Sequence, residues 1–244
     1  MRPADRPLRQ HPAPHDTSRH GDDEAAALFG AAVAEFEAGR DSQRDLRADF
    51  TFEDVPAPKR LAPFAAATAA TVRRDDADIA WGRLVLLYDP AGPDGWPGFH
   101  RLISYLRAEM EPEIAADPML CQVGWSWLIE ALDARTPGYG APSGTVTRVT
   151  TEGFGGKEGE PPVHGFELRA SWSPLPGTSA GGTSAGDAVP LVAAGSAGLA
   201  ALDIAAHVIA WCDSLAAAAG LPPLALGTHA LPAPGAEQSP RRRR

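Results

Sequence analysis

The sequence predicts an α+β protein, with an antiparallel sheet of about five strands and helices on one face of that sheet. Three segments carry apolar residues at helical spacing, and five segments with alternating or β-branched residues lie between turn sequences. The strands follow one another as a meander and a hairpin, which indicates antiparallel pairing. The predicted order along the chain is α-β-β-β-α-β-β-α.

The chain has 244 residues, of which 44% are hydrophobic, and this is enough to bury one core. Residues 24–220 are predicted to form a single α+β domain. Within it, residues 174–195 are predicted to be a flexible Gly/Ser/Ala insertion, because Gly-Thr-Ser-Ala-Gly occurs there twice. The tails at 1–23 and 221–244 lack hydrophobic periodicity, and the second is Pro-rich and ends in arginines, so both are predicted to be disordered.

The first helix is predicted over residues 24–39, where an apolar stripe includes Phe29 and Phe36 and Gly39 is placed to end the helix. An extended segment follows from Phe50 into Val-Pro-Ala-Pro. Its prolines cannot join a helix or a central strand, so it is predicted to lie along an edge of the sheet.

Three strands of a meander come next. Residues 64–74 are Ala-rich and fit a helix or a strand, but their Thr and Val residues and the Asp-rich turn that follows favour a strand. Residues 79–88 and 99–109 are predicted to be the second and third strands.

The remaining elements are two helices and a second hairpin. Asp117 and Pro118 are predicted to begin a helix that ends at Thr136. Residues 145–154 and 163–173 are predicted to be strands joined by a Gly/Pro-rich loop. The last helix is predicted over residues 197–219.

The composition predicts a cytoplasmic protein. No apolar run approaches the roughly 18 residues of a membrane-spanning helix, and the start of the chain is charged and Pro-rich instead of apolar. Cys121 and Cys212 lie far apart and belong to no metal-binding motif, which fits a reducing compartment without structural zinc. A membrane partner is therefore not expected.

The charge argues against nucleic acid as a partner. Residues 24–220 hold 26 acidic and 14 basic residues, a net charge of −12, and such a body repels phosphate backbones. The cationic block at Arg241–Arg244 is typical of a solubilising tail. Its alternative interpretation is a tail that binds nucleic acid or a membrane surface.

The sequence contains no nucleophile elbow, Walker loop, Rossmann glycine pattern or HExxH helix, so no catalytic, cofactor-binding or metal-binding residue is assigned and no cofactor is expected. The carboxylates Glu109, Glu111 and Glu113 offer an alternative. If that segment is extended, they share one face and could hold a hard cation or act as an acid/base pair in an enzyme. The simpler interpretation is a solvated strand end.

Alternation along the strands predicts that one sheet face is apolar and covered by helices, while the other carries arginine and glutamate. Mixed charges on neighbouring strands are typical of ion pairs that face water. The functional alternative is a face that binds carboxylates of a protein partner, with a tyrosine as an anchor. The candidate residues of this face are Arg83, Arg101, Tyr105, Arg107, Arg148 and Arg169.

Five stretches of the body carry a family resemblance. They are VPAPKRLAPF (55–64), GRLVLLYDPAG (82–92), YLRAEMEPE (105–113), VGWSWL (123–128) and LRASWSP (168–174). Together they resemble the actinobacterial family known as domain of unknown function three thousand, over roughly residues 25 to 225. The resemblance implies an actinobacterial source, and it implies no activity, ligand or active site.

The predicted function is a non-enzymatic protein-binding or regulatory module. The element order is similar to that of the small α+β chaperones of type III secretion, which bind partners and often dimerise. The expected partner is another protein, and a homodimer is a further arrangement consistent with this similarity.

Overall fold

The computed structural model of the chain describes residues 17–177, 199 and 202–224. Within them, one antiparallel sheet contains six strands in the spatial order β1-β2-β3-β4-β6-β5. The strands are β1 (Phe50–Asp54), β2 (Phe64–Arg74), β3 (Ala77–Tyr88), β4 (His100–Met110), β5 (Tyr139–Thr151) and β6 (Val163–Pro174). The helices are α1 (Thr17–Leu46), α2 (Pro112–Ala116), α3 (Leu120–Arg135) and α4 (Ile204–Ala218).

This architecture confirms the predicted α+β fold class, and the observed order differs from the predicted one only by small additions. The sixth strand is β1, which comes from the segment predicted to lie along an edge. Phe50 and Phe52 alternate with polar residues and pair with Val72 and Ala70 of β2, so the segment joins the sheet before its prolines begin. The other addition is the short helix α2.

The core lies between one face of the sheet and α4. Eleven of the fifteen residues of α4 are buried, and α1 and α3 both pack against it. Trp211 of α4 is fully buried against the sheet, and a Cβ on Gly82 of β3 would lie 2.9 Å from its ring. Burial of such large apolar side chains stabilises the fold by roughly 1.5–3 kcal/mol each. We call the opposite side of the sheet the open face.

The predicted end of the first helix at Gly39 is wrong. The helix continues to Leu46, and Gly39 lies where α1 crosses the start of α4. A Cβ at this position would lie 2.7 Å from the carbonyl oxygen of Ala205. The glycine therefore permits close packing of two helices, and its backbone stays helical.

The starts of the helices also differ from the predicted ones. Helix α1 begins at Thr17, inside the predicted N-terminal tail. Asp117 accepts a hydrogen bond from the backbone N–H of Met119 at 2.8 Å, and α3 begins only at Leu120. Helix α4 begins at Ile204, because Asp203 caps it by accepting a hydrogen bond from the N–H of Ala206.

The rest of both predicted tails and most of the predicted insertion lie outside the described residues. The domain boundaries at 24 and 220 stay predictions. None of the helices in the described ranges combines the length and the apolar character needed to cross a membrane.

The carboxylate of Asp213 in α4 connects three helices through hydrogen bonds. It accepts hydrogen bonds from Arg47, just after α1, at 2.8 Å and from Arg135, at the end of α3, at 2.7 Å. Arg47 also lies over the ring of Phe50, 5.5 Å from its centroid. The two charge-assisted bonds fix how α1 and α3 sit against α4.

Candidate functional site

Two adjacent rows of side chains cross the open face from β3 through β4 to β6. Directly paired residues on antiparallel strands project to the same side of the sheet, so the strand register places these side chains together. The first row is Arg83, Tyr105 and Arg169, and the second row is Trp81, Arg107 and Glu167. We call these six residues the open-face cluster.

Tyr105 is the centre of the open-face cluster. Its ring centroid lies 5.6 Å from that of Trp81, with the two rings tilted by 59°. The guanidinium carbon of Arg169 lies 5.4 Å from the Tyr105 centroid, within the range of a cation–π interaction. The strand pairing thus builds a contact of two aromatic rings with a cation over one of them.

The electrostatics keep the Tyr105 phenol protonated. Burial raises its pKa above the usual 10, and the neighbouring Glu167 carboxylate raises it further, whereas Arg107 and Arg169 act in the opposite direction. Part of the Glu167 effect is a hydrogen bond with the phenol, so an acceptor on a partner would compete with Glu167 for the phenol proton. Tyr105 therefore offers an apolar ring and a polar tip at the same place.

Much of the cluster is open to solvent. Trp81 is 38% exposed, the Arg169 side chain is 69% exposed, and Arg107 is also exposed. Arg83 is more enclosed, because it donates a hydrogen bond to the carbonyl oxygen of Pro56 in the connection between β1 and β2. That bond ties the connection to the open face beside the cluster.

Arg101 does not belong to the exposed part of this face, although the sequence grouped it there. It points to the open face but is only 8% exposed. Near this end of the sheet, Pro97 packs over Gly140 of β5. A Cβ on Gly140 would lie 3.1 Å from the Pro97 side chain. Since Gly140 pairs with Ser173, the connection between β3 and β4 covers this end of the open face.

The predicted placement of Arg148 on the arginine face is wrong. Arg148 pairs with Phe166, a core residue, and its Nη1 donates to the carbonyl oxygen of Asp117 at 3.3 Å. It therefore projects to the helix side of the sheet. Val146 and Val149 are three residues apart, so strict alternation would place them on opposite faces. The apolar pattern of this strand therefore could not show which face Arg148 occupies.

The carboxylates Glu109, Glu111 and Glu113 do not share one extended face. Glu109 lies near the end of β4, Glu111 precedes the first residue of α2, and Glu113 is inside that helix. All three are exposed. Among the described residues, no group of three or more His, Cys, Asp or Glu side chains could hold a metal ion.

The comparisons with known proteins identify the family. A family model described as "Protein of unknown function (DUF3000)" matches residues 25–228. The chain belongs to this family. The result confirms the resemblance found in the sequence, and the matched range includes every residue of the open-face cluster. No curated protein and no solved structure matches the chain.

One residue of the cluster in this DUF3000 protein was missed by the sequence reasoning. Trp81 precedes Arg83 by two residues, so strand alternation puts both side chains on the same face. Only the charged residues of β3 were selected for that face. An aromatic residue two positions from a selected arginine was the signal that could have found it.

Proposed function

We propose that the chain is a protein-binding module whose open-face cluster binds an acidic segment of a protein partner. The observation that carries the proposal is the solvent-exposed contact between Trp81 and Tyr105, flanked by the guanidinium groups of Arg107 and Arg169. Tryptophan, tyrosine and arginine are the residue types that most often dominate binding energy at protein interfaces. Here four such side chains converge on one exposed patch.

The ion pairing of the cluster supports this proposal over a purely solvated face. Within the described part of the chain, the cluster has a single ion pair, between Arg169 and Glu167, and its N–O distance is a long 3.7 Å. Arg107 forms no ion pair with a described residue. A face built only from cross-strand ion pairs would satisfy its arginines internally. These guanidinium groups keep donors for carboxylates of a partner.

The charge of the whole body favours an acidic ligand at this patch. Residues 24–220 carry a net charge of −12, so an acidic partner is repelled by most of the surface. The arginines of the open-face cluster form a local exception. Long-range repulsion elsewhere and attraction here would orient the partner as it approaches.

The expected place of action is the cytoplasm. Cys121 and Cys212 are both free thiols, and Cys212 is buried. Thiols that stay unpaired support a reducing compartment.

The experiment is a pull-down from source cells, with the tagged wild-type chain compared with a Trp81→Ala/Arg107→Ala variant. Arg148→Ala is the matched control, because it removes an exposed arginine from the opposite side of the same sheet. The proposal expects a stoichiometric partner that is lost from the double variant and retained by the control. A synthetic acidic peptide from that partner should then bind the wild type and lose at least about tenfold in affinity with the double variant.

Two results would contradict the proposal. One is the absence of any stoichiometric partner of the wild type. The other is a partner that the double variant and the Arg148→Ala control both retain. Circular dichroism of each variant shows whether the fold is intact, so that loss of binding can be assigned to the surface.

A further inference from the structure

A second group of polar side chains lies at the covered end of the open face, around Arg101. Its Nη2 atom donates a 2.7 Å hydrogen bond to the hydroxyl oxygen of Ser171. The hydroxyl oxygens of Ser173 and Ser143 lie farther away, at 3.4 Å from Nη1 and 3.5 Å from Nη2. Four side chains from β4, β5 and β6 thus meet at one point, which we call the Arg101–serine group.

The buried charge of Arg101 has no counter-ion among the described residues. No carboxylate in that part of the chain forms an ion pair with it. Burial lowers the pKa of the guanidinium, although an arginine stays protonated in proteins. A buried cation is costly unless it is paired and hydrogen-bonded, and only one of the three hydroxyl contacts is short. The guanidinium therefore retains the capacity to bind an anion.

The serine hydroxyls are suited to take part in anion binding. Each oxygen accepts from Arg101, and the Ser143 and Ser171 hydroxyls share one hydrogen bond with each other, so a bound anion would replace that bond and accept both protons. The oxygens of Ser143 and Ser171 lie 3.3 Å apart, which lets one small ligand reach both. Ser143 is exposed and Ser171 is half-buried, whereas Ser173 is fully buried. The group therefore opens to solvent on the side of the edge strand β5.

We propose that Arg101, Ser143 and Ser171 form a binding site for a small tetrahedral oxyanion, the chemistry of inorganic phosphate or of a phosphate monoester. A guanidinium fork and two hydroxyl donors match several acceptor oxygens at once, which a monovalent halide cannot offer. The site shares no residue with the open-face cluster and does not depend on the proposed protein-binding function. It uses the same sheet face but a different end and a different ligand.

The test is titration of the full chain with inorganic phosphate in a chloride buffer of constant ionic strength, followed by calorimetry and by the phosphorus NMR line width. The informative variant is Ser143→Ala/Ser171→Ala, which keeps the Arg101 charge and removes two hydroxyls. Arg148→Ala is the matched control, since it removes an exposed positive charge from the opposite side of the same sheet. We expect saturable binding by the wild type and the control, and a loss of at least about tenfold in the double variant.

A parallel titration with phenyl phosphate distinguishes the two sources of the oxyanion. Tighter binding of the monoester assigns the site to the phosphate group of a larger ligand, and tighter binding of inorganic phosphate assigns it to the free ion. The proposal is overturned if the wild type shows no saturable binding up to about 10 mM phosphate. It is also overturned if Arg148→Ala loses as much affinity as the serine variant, since binding would then reflect surface charge alone.

Discussion

Trp172 donates a hydrogen bond from its indole Nε1 to Nδ1 of His207 at 3.2 Å, between two fully buried side chains. An indole N–H can only donate, so Nδ1 of His207 must accept. The bond therefore requires the neutral imidazole, with its proton on Nε2. Burial agrees with this assignment, because it lowers the pKa of His207 to about 4. Sheet and α4 are joined at this point by a contact that depends on protonation.

The first prediction is a loss of stability in mild acid. His100 is also buried, and burial lowers its pKa to about 4. Because the unfolded chain protonates each histidine near pH 6.5, it binds more protons than the folded chain between about pH 6.5 and 4. The free energy of unfolding should fall as the pH falls through this window. The expected loss is about 1.5 kcal/mol per histidine between pH 6.5 and pH 5, before most carboxylates titrate.

Urea denaturation at several pH values in this window measures the effect. The variant His207→Gln should show a shallower dependence on pH, because one of the two buried imidazoles is gone. An unfolding free energy that stays constant from pH 6.5 to pH 5 would contradict the prediction.

The second prediction concerns the junction of the three helices at Asp213. The change Asp213→Ala leaves Arg47 and Arg135 without their shared carboxylate, and Arg47 has only 4% of its side chain exposed. Removing one partner from a buried charge pair typically costs about 3–5 kcal/mol. Asp41→Ala is the matched control, since its ion pairs with Arg40 and Arg44 involve an aspartate that is 53% exposed. That change should cost about 1 kcal/mol or less.

Chemical denaturation of both variants at neutral pH tests this difference. Equal losses of unfolding free energy for Asp213→Ala and Asp41→Ala would show that the Asp213 junction contributes no more to stability than a surface ion pair does.

The third prediction compares two glycines of α1. Gly30 is exposed, and a Cβ there would meet nothing within 4 Å, so Gly30→Ala should stabilise the protein by about 0.5–1 kcal/mol through helix propensity. Gly39→Ala adds the same methyl group against the backbone of α4. The resulting overpacking should destabilise the protein by about 1–3 kcal/mol.

Thermal unfolding of the two alanine variants beside the wild type measures both effects. The expected signs are opposite, with a higher melting temperature for Gly30→Ala and a lower one for Gly39→Ala. A higher melting temperature for both would mean that α1 does not press closely on α4 at Gly39.

Strands were predicted well where one face is strongly apolar. In β4, Leu102 and Leu106 alternate with Arg101, Tyr105 and Arg107, and the structure separates the two sets onto opposite faces as expected. A slip of one residue would bury the charged set, so the sequence alone fixes the face. In β5 no such penalty exists, because mostly Thr and Ser surround its two valines. The predicted face of Arg148 was therefore wrong.

The same alternation of apolar and polar residues predicted the face on which some residues of the candidate site lie. Tyr105, Arg107 and Arg169 lie together on the open face, as the alternation indicated, and Trp81 joins them. Arg101 shares that face but is covered. At this end of the sheet Pro97 and Leu175 lie over Gly140, and strand periodicity does not describe such coverage by connecting segments.

The sequence by itself determined the fold class, the strand pairs of the meander (β2, β3 and β4) and of the hairpin (β5 and β6), and the family, because apolar periodicity, turn residues and the family's sequence stretches are local features of the chain. The pairing of β4 with β6 was not predicted. Only the tertiary structure decided which arginines face water, that Gly39 packs against α4, and that Arg101 meets three serine hydroxyls. These features join residues that are far apart in the chain. They arise when close packing of helices and loops on the sheet fixes distances that no local pattern contains.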